Sequence, residues 1–455
     1  MAGKLKLKFF GGVGSVTGAN FMLQSDETKI LVDCGLIQGP KWAREKNYEP
    51  FAYDPATVDI LFVTHAHADH IGRIPKLVKD GFNGKIYSTK ATKDLVRYMF
   101  EDAVKVLSID AKKDNQDPLY NTDDVLKTLS LWEGVSYHDP VKIADFEAIF
   151  KDAGHILGSA MVEFKYLGTG EKIVFTGDLG NSPTPLLKDT EDITDADYLI
   201  MESVYGDRNH EGKEKRADNL KKAITRVVER SGTLVIPVFS LEKTQLLLHE
   251  LNDLIEKEDL PSVPVYFDSP LAIRLTEVYR KEYENYNEHV KEEIDGGDDV
   301  FDFPKLKITM HNRESEEIHG VEGPKIIISA SGMSEGGRVL KHEEHYLPDP
   351  KNAILFIGYQ VAGSLGRAIK DGMKKVRIGG NDVPINAEII TIDGYSSHKD
   401  SDHLLEFVYN TAETLKKVFV VMGESKSSLF LVQKLRDNLD IDAVHPEEGE
   451  VVELG

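Results

Sequence analysis

The stretch Thr64-His65-Ala66-His67-Ala68-Asp69-His70 carries the densest chemistry in this chain. Three imidazoles and a carboxylate fall within six positions. A neutral imidazole nitrogen suits a transition metal, and a carboxylate adds an anionic oxygen. His65 and His67, two apart, can reach one ion. Asp69 and His70, adjacent and pointing elsewhere, suit a second ion nearby. The stretch follows Ile60-Leu61-Phe62-Val63, an apolar run that reads as a buried strand. It precedes Ile71 to Val78, whose apolar positions suit a helix. In layered α/β proteins, ligand sites form at such strand ends.

The pattern of a strand followed by a ligand-type residue recurs. Ile30-Leu31-Val32 ends in Asp33, which can accept hydrogen bonds from the histidine loop and hold it in place. His155 lies between Gly154 and Gly158, near the end of a strand that starts at Phe146. Lys172 to Phe175 leads to Gly177-Asp178, whose two oxygens can bridge two ions. Tyr198 to Met201 ends in Glu202. The glycine-rich turn Gly11 to Gly18 leads into another strand, not a helix, so a dinucleotide-binding reading fails its structural test. Cys34 sits in an apolar run and reads as core.

The chain has 455 residues, enough for two or three domains, and a net charge of 55 − 77 = −22. An acidic surface argues against non-specific grip on nucleic acid or anionic membrane. A single cysteine excludes an internal disulfide and fits a reducing cytoplasm. The alternating N-terminus lacks a signal-peptide core, and no apolar run spans a bilayer. A cytoplasmic protein is therefore expected.

Ala91 to about Thr128 reads as helical, and so do the charged residues 271–312. From 208 to 362 strands alternate with helices, which implies a parallel-sheet α/β domain. Two loops there look suited to phosphate. One offers Ser329, Ser331, Gly332 and Arg338. The other offers Tyr359, Gly363, Ser364 and Arg367, and is followed by Lys370, Lys374, Lys375 and Arg377, a basic run able to follow a nucleic-acid backbone. Beyond it, a strand at Glu388 to Ile392 leads to Tyr395-Ser396-Ser397-His398, and Val418 to Val421 leads to Met422-Gly423-Glu424.

The signature His-x-His-x-Asp-His, with the later His155 and Asp178, resembles the metallo-β-lactamase superfamily over residues 5 to about 205. That resemblance implies an αββα sandwich of two mixed sheets with helices outside. It implies that His65, His67 and His155 hold one Zn2+, that Asp69 and His70 hold another, and that Asp178 bridges them. The rest of the chain looks like the β-CASP subgroup of metallo-nucleases. In that subgroup Glu202 matches motif A and Tyr395-Ser396-Ser397-His398 matches motif B. The resemblance implies residues 1–207 as the first part of the lactamase-type domain, 208–362 as the inserted β-CASP domain and 363–455 as the return segment.

The pattern is most similar to bacterial and archaeal relatives of the endonuclease subunit of the pre-mRNA cleavage and polyadenylation factor. It implies zinc-dependent, endonucleolytic hydrolysis of single-stranded RNA, with Asp69, Glu202 and His398 as catalytic residues. One departure stands out. Family members acting on RNA usually carry histidine where this chain has Met422, and a thioether is a poor zinc ligand. The second ion is therefore expected to bind more weakly. DNA-processing members lack that histidine too, so DNA hydrolysis is one rival reading. A small-ester or lactam hydrolase and a non-catalytic RNA-binding protein are others. The sequence leaves the oligomeric state open, a homodimer included.

Overall fold

In Leu5–Gly11 Leu5, Leu7 and Phe9 are buried while Lys6 and Lys8 are not, so one face of this strand turns to a core. Ile60–Phe62 is buried at every position, as a strand covered on both faces must be. These two belong to one seven-stranded sheet in the computed structural model, which describes residues 4–39, 41–210, 215–257, 260–361 and 363–455. Its order is Val451–Leu454, Leu5–Gly11, Asn20–Gln24, Lys29–Val32, Ile60–Phe62, Lys85–Thr89, Trp132–Val135. Pairing is antiparallel at the first end and parallel from Lys29–Val32 onward.

A second seven-stranded sheet runs Ala443–Val444, Lys417–Val420, Tyr198–Met201, Lys172–Phe175, Ala160–Tyr166, Phe146–Asp152, Val141–Ile143, again mixed. The two sheets share a core rich in phenylalanine: Phe9, Phe21, Phe62, Phe146, Phe150, Phe164, Phe175 and Phe419. Phe62 meets Phe164 edge to face with ring centres 4.9 Å apart. Truncating a ring buried like this to alanine costs about 3–5 kcal/mol. Helices Ser401–Tyr409 and Ser425–Leu439 cover the outer face of the second sheet through Leu404, Phe407, Leu431 and Leu435. Helix Lys90–Asp114 packs on Lys85–Thr89 and Trp132–Val135 of the first. This is the expected αββα sandwich.

The chain divides into two units: Met1–Asn209 with Ser397–Gly455, and His210–Ser396. The sandwich is the first. In the second, six strands pair in parallel in the order Leu306–Ile308, Val265–Phe267, Lys325–Ser329, Thr233–Pro237, Ala353–Phe356, Glu388–Thr391. The inserted α/β domain was expected to end at 362, a residue outside those described. Residues 363–396 instead stay with the second unit, because Glu388–Thr391 pairs in parallel with Ala353–Phe356 and completes its sheet. The segment 271–312 is not wholly helical. Leu306–Ile308 is an edge strand, too short and too exposed to show a period in the sequence. The helix expected from Ala91 to Thr128 is two, Lys90–Asp114 and Thr122–Ser130, the first ended by Asn115 in a left-handed conformation. Among the described residues no helix is long and apolar enough to cross a membrane.

Candidate metal centre

Five of the ligand-type residues singled out in the first unit lie just beyond the end of a strand, while Asp69 and His70 sit in the short helix Ala68–Ile71. Asp33 follows Lys29–Val32, His65 follows Ile60–Phe62, and His155 follows Phe146–Asp152. Asp178 follows Lys172–Phe175 and Glu202 follows Tyr198–Met201. The loops pack closely enough to demand glycine. A Cβ on Gly35 would fall 1.5 Å from the Asp69 carbonyl oxygen, and one on Gly180 would fall 1.9 Å from that of Gly154.

His65, His67, His155 and Asp178 present donor atoms within 4.8 Å of one another. His67 Nδ1 is 3.1 Å from His65 Nε2 and 3.3 Å from His155 Nε2. Asp178 Oδ2 is 3.5 Å from the Nε2 of both His65 and His155. A tetrahedron with bonds of about 2.0–2.1 Å has edges of about 3.3 Å. The four donors therefore have the spacing of a tetrahedral zinc site.

Hydrogen bonds behind the rings fix which nitrogen faces the centre. Asp33 Oδ1 accepts the Thr64 backbone N–H (2.8 Å), and Oδ2 accepts the Thr64 hydroxyl (2.8 Å) and His70 Nδ1 (2.7 Å). The Thr64 hydroxyl donates its one hydrogen bond to Asp33, so its oxygen accepts from His65 Nδ1 at 3.1 Å. His155 Nδ1 donates to the Ser397 carbonyl at 3.2 Å. His65 and His155 thus keep their protons on the outer nitrogen and turn a lone pair inward. Burial lowers the pKa of His65 and takes His67 and His155 well below the usual histidine range, which keeps all three neutral.

A second position adjoins the first. His70 Nε2 and Asp178 Oδ1 face each other at 3.3 Å. Both are buried and find no hydrogen-bond partner among the described residues. Burial disfavours the His70 cation, yet the Asp178 and Asp33 carboxylates raise its pKa well above the ordinary value. A divalent cation can take the place of the proton held there. Asp69 lies in the first turn of Ala68–Ile71, where burial raises its carboxyl while His70 and His65 oppose the rise. Met422 is buried in the core, with left-handed backbone, and lines a small void of about 10 Å³ with His70, Asp33 and Thr64.

His398 stands beside the cluster, its ring centre 4.5 Å from that of His155. Its Nδ1 is 3.1 and 3.2 Å from the two oxygens of Glu202. Glu202 is buried, which raises its pKa, and its Oε1 also accepts the Leu179 N–H. The strands of loop on either side interlock: Asn181 N–H donates to Ser397 (2.9 Å) and Lys399 N–H to Leu179 (2.9 Å). One carboxylate thus ties His398 to the segment that carries Asp178. Thr64, Ser159 and Ser397 went unrecognised in the sequence. Ser159 Oγ accepts the N–H groups of His155 and Ile156 and shapes the loop. A hydroxyl adjacent to a ligand was the only signal for Thr64.

The expected phosphate loops lie in the second unit and are described within it. Ser329 is fully buried and its hydroxyl donates to the Asp268 carbonyl (2.9 Å). Arg338 spends its guanidinium on Asp268 Oδ1 (2.7 Å), the Thr309 and Met310 carbonyls and Asn312. These two side chains serve the interior, contrary to the expectation that they meet phosphate. Ser331 bonds within its own loop and Gly332 packs on Phe239. Ser364 caps helix Leu365–Lys370, and Arg367 pairs with Asp371 (2.8 Å). Tyr359 and Gly363 are exposed.

The chain matches three family models: the metallo-beta-lactamase superfamily over residues 16–228, the Beta-Casp domain over 244–369, and the Zn-dependent metallo-hydrolase RNA specificity domain over 382–446. Among its relatives, Ribonuclease TTHA0252 of Thermus thermophilus is 34% identical, covering 93% of this chain and 94% of its own. An RNase J-like protein of Methanocaldococcus jannaschii is 30% identical over 98% of this chain and 99% of its own. The transcription termination factor FttA of Methanosarcina mazei is 30% identical over 96% of this chain and 70% of its own. A crystal structure of a protein of unknown function from Enterococcus faecalis shares the fold, with a TM-score of 0.58 at 13% identity over 99% of this chain and all of that one. The chain belongs to the metallo-β-lactamase superfamily, in its β-CASP branch.

Proposed function

We propose that this protein is a zinc-dependent ribonuclease that hydrolyses phosphodiester bonds inside single-stranded RNA. The carrying observation is the set of inward lone pairs at 3.1–3.5 Å, beside a histidine held by a buried glutamate. The ribonuclease relative aligned over nearly its whole length and the RNA specificity domain support RNA as substrate. Bound zinc supplies a water of lowered pKa and polarises phosphoryl oxygens.

His65, His67, His155 and Asp178 would hold the first ion, and Asp69, His70 and Asp178 the second, with Asp178 shared. Thr64 and the Ser397 carbonyl keep the His65 and His155 protons on their outer nitrogens, and Asp33 engages His70 Nδ1. Glu202 engages His398 Nδ1, so proton delivery falls to Nε2. Water releases a proton to solvent as its oxygen bonds to phosphorus, and as the bond to the 3′ oxygen breaks His398 protonates the leaving oxygen. The products are a 5′ phosphate and a 3′ hydroxyl. Met422 adds no nitrogen to the second position, so that ion should be the weaker of the two.

The test is to incubate the full chain with end-labelled single-stranded RNA and DNA, with and without chelator. Internal cuts in RNA that chelator abolishes support the reading. Cleavage of DNA alone, or RNA cleavage indifferent to chelator, would refute it.

A further inference from the structure

Helix Lys243–Glu256 of the second unit carries His249 and Asp253 one turn apart, and helix Glu288–Asp295 carries His289 and Glu293 at the same spacing. The two pairs meet. Glu293 Oε2 is 3.0 Å from His249 Nε2, and Glu293 Oε1 is 3.3 Å from His289 Nε2. His249, Asp253 and Glu293 each offer a donor atom within 4.8 Å of the others. None of these residues takes part in the centre described above. We propose that His249, Asp253, His289 and Glu293 form a separate binding site for a divalent transition metal, which clamps the two helices together. The site goes beyond the hydrolytic reading and does not depend on it.

The bland account of these contacts is a histidine–carboxylate clip between helices. The surroundings favour a cation. Glu256 and Asp298 add further carboxylates to the patch, and Lys257, 3.1 Å from Asp253 Oδ2, is the ammonium that pairs with it. The Glu256 carboxyl is raised by burial and then by Asp298, Asp253 and Glu293, a sign of excess negative charge. Asn252 is fully buried. Its amide donates to Asp298 (2.8 Å), while its Oδ1 finds no partner among the described residues. Two imidazoles with two carboxylates select zinc, cobalt or nickel over calcium and magnesium, which prefer oxygen alone. His249 is nearly buried and His289 is 69% exposed, so the ion would enter from the His289 side.

The experiment is a Co2+ titration of the full chain, read by visible absorption and by metal analysis. Wild type is compared with His249→Gln, Glu293→Gln and His289→Gln, all with the lactamase-type ligands intact. Wild type should bind one ion more per chain than His249→Gln or Glu293→Gln. His289→Gln should bind that ion at least about tenfold more weakly, since losing a ligand costs no less than losing a group that orients one. Lys257→Gln should bind it more tightly, because the competing ammonium is gone. RNA hydrolysis at saturating zinc should be equal in all. Equal stoichiometry and affinity in wild type, His249→Gln and His289→Gln would overturn the proposal. Should His249→Gln fail to fold, the exposed His289→Gln still decides.

Discussion

Asp178 in the first unit and Asp268 in the second occupy similar places with opposite outcomes. Each comes shortly after a buried parallel strand, each is buried, and each faces a histidine. Around Asp268 every lone pair is answered. Oδ1 accepts from Arg338 Nη1 and Thr309 Oγ1, both at 2.7 Å, and Oδ2 from His342 Nε2 at 2.7 Å and Ser315 Oγ at 2.6 Å. Around Asp178 Oδ2 the neighbours are themselves acceptors, the inward nitrogens of His65 and His155, and Oδ1, 3.3 Å from His70 Nε2, is left without a hydrogen-bond partner among the described residues. Buried polar groups are nearly always paired. A cluster that pairs itself is part of the framework, and one that cannot is built for something that arrives from outside. Residue types alone do not separate the two cases.

The comparison breaks most sharply at Asp178. Asp178→Asn removes a charge and the shared oxygen, and RNA hydrolysis should fall about 10³-fold or more, with less zinc retained per chain. Metal analysis alongside single-turnover cleavage checks this. Full zinc and full activity in the variant would make Asp178 as merely structural as Asp268.

His398→Ala separates the proposed proton donor from the proposed metal ligands. Expected is a drop of about 10²–10⁴-fold in kcat, the range for a lost general acid, at unchanged zinc content. Loss of zinc in this variant would move His398 into the metal set instead.

Asp268→Asn attacks the other side of the comparison. It removes the charge that partners Arg338, which keeps its bonds to the Thr309 and Met310 carbonyls and to Asn312, and should cost about 1.5–3 kcal/mol, the worth of a hydrogen bond to a charged group. Zinc per chain should not change. The wild-type carboxyl is pushed up by burial but held at about 2 by its hydrogen bonds to His342, Ser315 and Thr309. A depressed folded pKa stabilises above the unfolded value and is lost as pH falls. Wild type should therefore lose this share of stability between about pH 4 and 2, and the variant should lose none of it there. Urea melts across that range read both effects.

Much of the first unit could be read from the chain, and the reason is physical. Most of its candidate ligands fall at the ends of short apolar runs, and strand ends are where a layered fold exposes side chains. His65, His67, Asp69 and His70 are also close in sequence, so their meeting needs no long-range knowledge. The pairing of His398 with Glu202 spans 196 residues and came only through the family pattern. Ser329 and Arg338 show the opposite case. A serine, glycines and an arginine look the same whether they greet a phosphate or a buried Asp268 that lies 61 and 70 residues away. The end of the inserted domain was misplaced for a related reason. Glu388–Thr391 is a half-exposed strand whose partner, not its composition, decides the unit it joins.

Glu343 offers the smallest and most discriminating test, because it is an unanswered carboxylate in the same unit as the fully paired Asp268. It is fully buried; Oε1 accepts from Ser334 Oγ, and Oε2 has no partner among the described residues. Burial pushes its carboxyl up to about 7, with Ser334 opposing. Below the unfolded value both states are protonated. As pH rises from about 4.5 to 7, the unfolded chain gives up its proton while the folded one keeps it, so stability falls across that window and levels off above it. Glu343→Gln cannot ionise. It should match wild type near pH 4 and exceed it by about 1–3 kcal/mol at pH 8, as measured by denaturant unfolding. A constant difference between the two across the whole range would show that Glu343 ionises freely in the folded protein. The expected result gives Glu343 an answer to its unpaired oxygen, a retained proton, where Asp178 leaves room for a metal.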